Sequence, residues 1–148
     1  HLREIVFAIN PDFDRFVEMQ AYFRENAREF WNGTNVKAHY IFETNESNPT
    51  VPPDVKRQLL LVFKEAQNNV AKHAGASEVW LTFQMTSPDR YLLEVRDNGR
   101  GFVVSNNNGF VQGLSGIKKR TDSIGATLSI ESELGNGTVV RVNGSMLL

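Results

Sequence analysis

Two pairs of short alternating segments limit what this chain can fold into. Apolar and polar residues alternate over about Glu78–Met85 and again over Tyr91–Arg96, with a four-residue turn sequence between them. A second pair, about Thr127–Ser132 and Thr138–Asn143, flanks the tripeptide Gly135–Gly137. A period of two is typical of strands with one buried face, and short polar or glycine-rich turns join antiparallel neighbours. The sequence therefore predicts two β-hairpins that any fold of this chain must contain.

Helical periodicity occupies most of the remaining chain. Apolar residues recur every three or four positions over about Asp14–Trp31 and Asp54–Ala74, and a shorter helix is expected over about Gly113–Ile124. Asp12 is a candidate N-cap for the first of these helices, and Gly75 is expected to end the second.

The order of these elements predicts the fold class. One further strand is expected over about Val36–Phe42, and the polar segment Asp97–Gln112 is expected to be a long loop. Hairpin-joined strands with helices between them favour an α/β two-layer sandwich. We expect a mixed, mainly antiparallel sheet with helices on one face.

Composition excludes several classes of function. The chain has 148 residues, 41% of them hydrophobic, and its 16 Lys and Arg against 17 Asp and Glu give a net charge of -1. This balance argues against an electrostatic nucleic-acid binder. The lack of cysteine excludes disulfides, zinc–thiolate sites and thiol catalysis. Since no apolar run approaches the roughly 20 residues of a membrane span, we expect one cytoplasmic globular domain.

One face of the long helix carries a polar stripe. Glu65, Asn69 and Lys72 follow each other at i, i+4 and i+7, with His73 at the border. Such a stripe is commonly a solvated face with a polar network. It would also suit a metal-bound polyphosphate, because an amide oxygen suits Mg²⁺, a lysine neutralises phosphate and a glutamate can orient or deprotonate an attacking group. The stripe alone leaves both interpretations open.

Three glycine clusters lie beside the predicted strands and the short helix. Asp97 ends a strand, where a carboxylate can accept a hydrogen bond from the amine of adenine, and Gly99 and Gly101 after it would allow a close approach. This cluster matches neither a Walker loop, a calcium loop nor a Rossmann fingerprint. Gly113–Gly116 stands at the expected helix start, which would favour anions, although an ordinary loop there is equally consistent. Thr138, after the hairpin glycines, could face a bound base.

Taken in order, these segments resemble the ATP-binding domain of sensor histidine kinases, which shares a Bergerat-type fold with gyrase, Hsp90 and MutL. The matching motifs are the N box at Glu65–Ala74 and three glycine boxes at Asp97–Phe102, Gly113–Arg120 and Gly135–Thr138. Two segments, Lys72–Ala76 and Gly116–Arg120, are most similar to the subfamily paired with NarL-type response regulators.

The resemblance implies roles for individual residues. Asn69 would bind Mg²⁺, and Lys72 and His73 would contact the phosphates or ribose. Asp97 would accept from the adenine amine, and Glu65 would orient or activate the phosphate acceptor. The remaining positions would surround the nucleotide: Gly99, Gly101 and Thr138 at the base, Gly113, Leu114 and Gly116 at a phosphate-side helix start, and 98–112 as a mobile lid.

The sequence departs from the family pattern in two places. The second glycine box lacks its first glycine, where Val111 stands instead, which puts phosphate affinity in doubt. No phosphoacceptor box is present, because His1 is followed by Leu and Arg, while His39 lies on a strand and His73 in the nucleotide site.

The resemblance also implies a function for the two parts of the chain. Residues 1–11 are expected to be the end of a dimerisation-hairpin helix, and residues 12–148 the ATP-binding domain. Mg·ATP would bind here, and the γ-phosphate would pass to a histidine on a hairpin absent from this chain and then to a NarL-type response regulator. The parent protein would be a homodimer in a two-component system, with a membrane anchor left open, and this chain a monomer.

Two alternatives remain open from the sequence. The first is an anti-sigma factor, a serine kinase of the same fold. The second is a degenerate domain that binds a partner protein and no nucleotide, which the glycine missing at Val111 would favour.

Overall fold

The computed structural model describes residues 2–102 and 108–147, and the side chains of all of these except 108–113. The helices are α1 (Leu2–Ile9), α2 (Phe16–Trp31), α3 (Pro53–Asn69) and α4 (Asn108–Ser123), with a 3₁₀ turn at Pro11–Phe13 and a π-helical turn at Val70–Ala74. The strands are β1 (Lys37–Ile41), β2 (Glu78–Met85), β3 (Arg90–Asp97), β4 (Thr127–Glu133) and β5 (Gly137–Ser145). No helix within the described ranges has the length and apolar character needed to cross a membrane.

The five strands form one sheet in the order β1-β2-β3-β5-β4. β1 pairs with β2 in parallel, whereas the β2–β3, β3–β5 and β4–β5 pairs are antiparallel. Both predicted hairpins and the mixed, mainly antiparallel sheet of the predicted α/β sandwich are therefore confirmed.

An aromatic stack joins the helix layer to the inner face of the sheet. Phe23 of α2 lies between Phe63 of α3 and Phe83 of β2, with ring centroids 5.2 and 4.6 Å away. All three side chains are fully buried. Aromatic rings bury more apolar area than other side chains, so this stack fixes α2 and α3 on the sheet.

α1 packs on the outer side of the helix layer. Its Phe7 ring stacks on Tyr22 with centroids 4.2 Å apart, and Glu4 pairs with Lys64 of α3 at 3.5 Å. The opposite side of α1 is exposed, with Leu2 75% and Ile9 69% accessible. α1 thus contacts the domain through one face only and presents an apolar stripe on the other.

The predicted N-cap of α2 was wrong. Asp12 lies in the 3₁₀ turn, and the N-cap position is Arg15, whose side chain makes no capping hydrogen bond. Arg15 is extended because it forms an isolated bridge with Thr50, and the Asn48 side chain accepts from the Val17 N–H at 2.9 Å. The capping oxygen therefore comes from a distant loop, which a local sequence pattern cannot reveal.

The predicted start of the last helix was also wrong. α4 begins at Asn108, so Gly113 and Gly116 lie within the helix and not at its N-terminus. Leu114, Ile117 and Thr121 are buried at i, i+3 and i+7, and α4 packs along α3. Burial of one helical face outweighs the roughly 1 kcal/mol that a glycine costs in a helix interior.

Candidate functional site

A pocket of about 340 Å³ opens between the end of α3 and the ends of β3 and β5. It brings together six of the residues predicted for nucleotide binding, namely Asn69, His73, Asp97, Gly101, Leu114 and Thr138. Its walls are otherwise mainly apolar, formed by Ala66, Val70, Val95 and Val140. A largely apolar cleft with a few polar groups is the usual form of a small-molecule site.

The other predicted residues do not line this pocket. Glu65 and Lys72 are exposed on α3 and on the π-helical turn that follows it, and Gly99 and Gly116 lie outside the pocket wall. The side-chain environment of position 113 is not among those that the structure describes, and positions 103–107 of the predicted lid lie outside the described residues.

Arg100 and Phe102, which follow Gly99 and Gly101 in the loop, also line the pocket but were not among the predicted site residues. Phe102 carried a signal, because an apolar aromatic residue after two glycines in a polar loop indicates a buried contact. The Arg100 side chain lies against Gly75, and no pattern in the sequence indicated that contact.

Asp97 is the charged group that the pocket encloses most closely. Its side chain is only 5% exposed, and its Oδ1 accepts from the Gly99 N–H at 2.8 Å. Burial raises the pKa of the Asp97 carboxyl, and the N–H groups of Gly99 and Thr138 offset that rise only in part. A desolvated carboxylate in a cleft marks a candidate ligand-binding group, because its burial costs stability.

Close main-chain crossings hold the loop after Asp97. A side chain at Gly99 would collide with the Ala74 carbonyl, and one at Gly101 with the Glu133 carbonyl. The Arg100 N–H donates to that same Ala74 carbonyl at 2.8 Å. Glycine is therefore required at both positions by neighbouring main chain, a reason that differs from the predicted approach to a ring.

The pocket side chains can be examined as possible ligands of a metal ion. Within the described ranges, no cluster of three or more His, Asp or Glu side chains could hold one. Mg²⁺ commonly takes one or two protein oxygens together with phosphates and water. The Asn69 amide fits that pattern, but only for an ion that arrives with a polyphosphate.

We predict opposite stability effects for alanine at two glycines of the predicted motifs. Gly99→Ala should lower the free energy of unfolding by about 1–3 kcal/mol, because the new methyl group meets main chain. Gly116→Ala, in a helix with open space around it, should raise that energy by about 0.5–1 kcal/mol. Urea denaturation of both variants measures the difference, and equal effects would contradict this account of Gly99.

Asp97→Asn should stabilise the unliganded domain at neutral pH. The pKa of the Asp97 carboxyl is higher in the folded than in the unfolded protein. The free energy of unfolding therefore falls as the pH rises from the unfolded-state pKa to the folded-state pKa, and it stays lower above that range. The amide oxygen can still accept from the Gly99 N–H, but the amide carries no charge. We expect the melting temperature of the variant to exceed that of the wild type at pH 7, with a gap that closes towards pH 4. A gap that widens on acidification would show that the Asp97 pKa is not raised.

Known proteins resemble this chain in sequence and in fold. A profile of the family described as "Histidine kinase-, DNA gyrase B-, and HSP90-like ATPase" matches residues 54–144. The chain is 30% identical over 119 residues to the signal transduction histidine-protein kinase/phosphatase DegS of Bacillus subtilis, covering 77% of this chain and 30% of DegS. It is 34% identical over 98 residues to the nitrate/nitrite sensor protein NarQ of Escherichia coli, covering 64% of this chain and 17% of NarQ.

A solved structure supports the same fold. The histidine kinase domain of the Erythrobacter litoralis EL346 blue-light activated histidine kinase has a TM-score of 0.68 to this chain. Its sequence is 20% identical, and the match covers 84% of this chain and 59% of that one. The chain spans less than a third of the length of either curated relative.

Proposed function

Because the chain belongs to the histidine kinase-, DNA gyrase B- and HSP90-like ATPase family, we propose that its pocket binds Mg·ATP for transfer of the γ-phosphate to a histidine. The chain is an ATP-binding domain of the histidine kinase type, as its similarity to DegS and NarQ indicates. The acceptor histidine would lie on a dimerisation hairpin outside the residues of this chain.

One observation carries the proposal: a buried carboxylate faces a mainly apolar pocket. Asp97 can only accept hydrogen bonds when ionised, so it would select a ring that offers an amine, as adenine does. Guanine offers a carbonyl oxygen at the same position and would be repelled. Val95 and Val140, which pair with each other in the neighbouring row of the same face, would contact the base.

The polar end of the pocket would bind the phosphates. Asn69 would supply one oxygen to Mg²⁺, and the ion would offset phosphate charge during the transfer. Lys72 and His73, one turn further along, would contact the phosphates or ribose. Phosphoryl transfer depends mainly on positioning and charge stabilisation, so these groups need no covalent chemistry. Leu114 in α4 would close the other side, next to Gly113 and Gly116.

Glu65 would act on the acceptor and not on ATP. It lies one turn before Asn69 on α3, is exposed, and does not line the pocket. An exposed carboxylate beside the phosphate end can orient or deprotonate a group brought from outside.

The exposed face of α1 supports a hairpin next to this domain. Leu2, Val6 and Ile9 are at least half accessible, although they lie on one apolar helical stripe. Such a stripe would be buried if α1 continued a helical hairpin that pairs with a second copy in a homodimer. The phosphate would then pass to the aspartate of a NarL-type response regulator in the cytoplasm, where ATP is available.

Asp97→Asn tests the nucleotide site directly. We expect the affinity for trinitrophenyl-ATP to fall about 10-fold or more, since a hydrogen bond to a charged group contributes about 1.5–3 kcal/mol. The matched control is Asp89→Asn in the β2–β3 turn at the far end of the sheet, which should bind as tightly as the wild type. Equal affinities in all three proteins would contradict the adenine site.

Glu65→Gln tests the transfer step, in a protein in which this domain is joined to a dimerisation hairpin. We expect formation of acid-labile phosphohistidine from ATP to slow about 100-fold, while trinitrophenyl-ATP affinity stays within about twofold. Glu18→Gln, an exposed glutamate on α2, is the control. An unchanged rate would rule out the proposed role of Glu65, and acid-stable phosphoserine on a partner would favour an anti-sigma factor.

A further inference from the structure

Three polar side chains lie in register on the inner face of the sheet, at the end that borders the pocket. Asp97 of β3 pairs with Thr138 of β5, which pairs in turn with Ser132 of β4. The next row on the same face, which includes Val95 and Val140, is apolar. Asp97 and Thr138 of the polar row line the pocket together with Val95 and Val140 of the apolar row, and Ser132 occupies the outer end of the polar row.

The Ser132 hydroxyl has two possible acceptors for its single proton. Its Oγ accepts from the Phe102 N–H at 2.8 Å, and it lies 3.1 Å from the Gly137 carbonyl and 2.8 Å from the Thr138 hydroxyl. A serine hydroxyl carries one proton and can accept two hydrogen bonds. Ser132 can therefore donate either to Gly137 or to Thr138, but not fully to both.

The choice at Ser132 determines what Thr138 offers to the pocket. If Ser132 donates to the Gly137 carbonyl, the Thr138 proton points to Ser132 and only acceptor lone pairs remain for a ligand. If Ser132 donates to Thr138, the Thr138 proton is free to enter the pocket, which Thr138 lines. Two coupled hydroxyls also polarise each other, so the outward proton becomes a better donor.

Adenine favours the second arrangement. A base that donates its 6-amino group to Asp97 presents the ring nitrogen N1, an acceptor, directly beside that amine. Thr138 is the register neighbour of Asp97 and would reach N1 directly or through one water. We propose that Ser132 is a positioning residue that directs the Thr138 hydroxyl proton towards adenine N1. This inference rests on the proposed ATP function.

Ser132 also holds the wall of the pocket. The residue that donates to its Oγ, Phe102, lines the pocket, and the Gly135 N–H donates to the Arg100 carbonyl at 2.7 Å. The β4–β5 hairpin thus anchors the segment that follows Gly99 from two points. Loss of Ser132 could weaken nucleotide binding through this anchor alone, so the test must separate the two effects.

The test compares ATP with 1-deaza-ATP, in which N1 is replaced by a carbon that cannot accept. In the wild type we expect ATP to displace trinitrophenyl-ATP about 10-fold better than 1-deaza-ATP, the value of one hydrogen bond. Ser132→Ala should lower this ratio to between the wild-type value and that in Thr138→Val, because the Thr138 hydroxyl remains but loses the partner that orients and polarises it. Ser132→Thr, which retains the hydroxyl, should restore it. In Thr138→Val, adding Ser132→Ala should change the ratio no further.

The outcomes are distinguishable. If Ser132→Ala weakens ATP and 1-deaza-ATP equally, Ser132 only anchors the chain and the positioning role is wrong. A wild-type ratio near one would also overturn it, while leaving ATP binding intact. Failure of both nucleotides to bind any of the proteins would instead contradict the proposed function. Ser129→Ala, on the same strand but facing the opposite side of the sheet, should leave the ratio unchanged.

Discussion

The site depends on main chain packed directly against main chain around the end of β3. The Ala74 carbonyl, at the end of the π-helical turn, accepts from Arg100, and the hairpin residue Gly135 donates to the Arg100 carbonyl. These hydrogen bonds tie the helix layer and the hairpin to one short loop. There is no room for a Cβ at Gly99, Gly101 or Gly137, so the approach of these three segments depends on glycine. The position of the Asp97 carboxylate between them is a consequence of that packing.

The same packing imposes an electrostatic cost. Asp97 leaves water almost completely, and the two N–H groups that face it compensate only in part, so the pKa of its carboxyl is raised. A hydrophobic residue there would give a more stable sheet end. The energy lost in folding is available to a ligand that donates a hydrogen bond, because binding then satisfies a group that folding leaves poorly solvated. Stability and recognition are thus opposed at this one side chain.

Period and turn chemistry were sufficient to predict most of the elements. Both hairpins, the long helix and its end at Gly75 follow from patterns within some 20 residues, and the structure confirms them. The motif order also predicted that Asn69, Asp97 and Thr138 share a pocket. Local periodicity alone does not show which residues 40 or more positions apart come together. That prediction came from the resemblance to a known family.

The failures have a common physical cause. The cap of α2 comes from Asn48, and α4, which includes Gly113 and Gly116, packs along α3. In the first case a distant side chain accepts from a helix N–H that local residues leave unpaired. In the second, tertiary packing stabilises a helix that contains glycines, which helices disfavour. Such partners become visible only once the fold brings them together.

α3 is the element on which both ends of the molecule depend. Its buried Lys56 pairs with Asp14 at 3.0 Å and lies under the Phe7 ring of α1, while Lys64 pairs with Glu4. Its far end carries Asn69 at the pocket. Because protein interiors are close-packed and transmit strain, α3 couples the position of α1 to that of the pocket. If the proposed hairpin continues α1, α3 is the element that links its position to the proposed phosphate-binding end of the pocket.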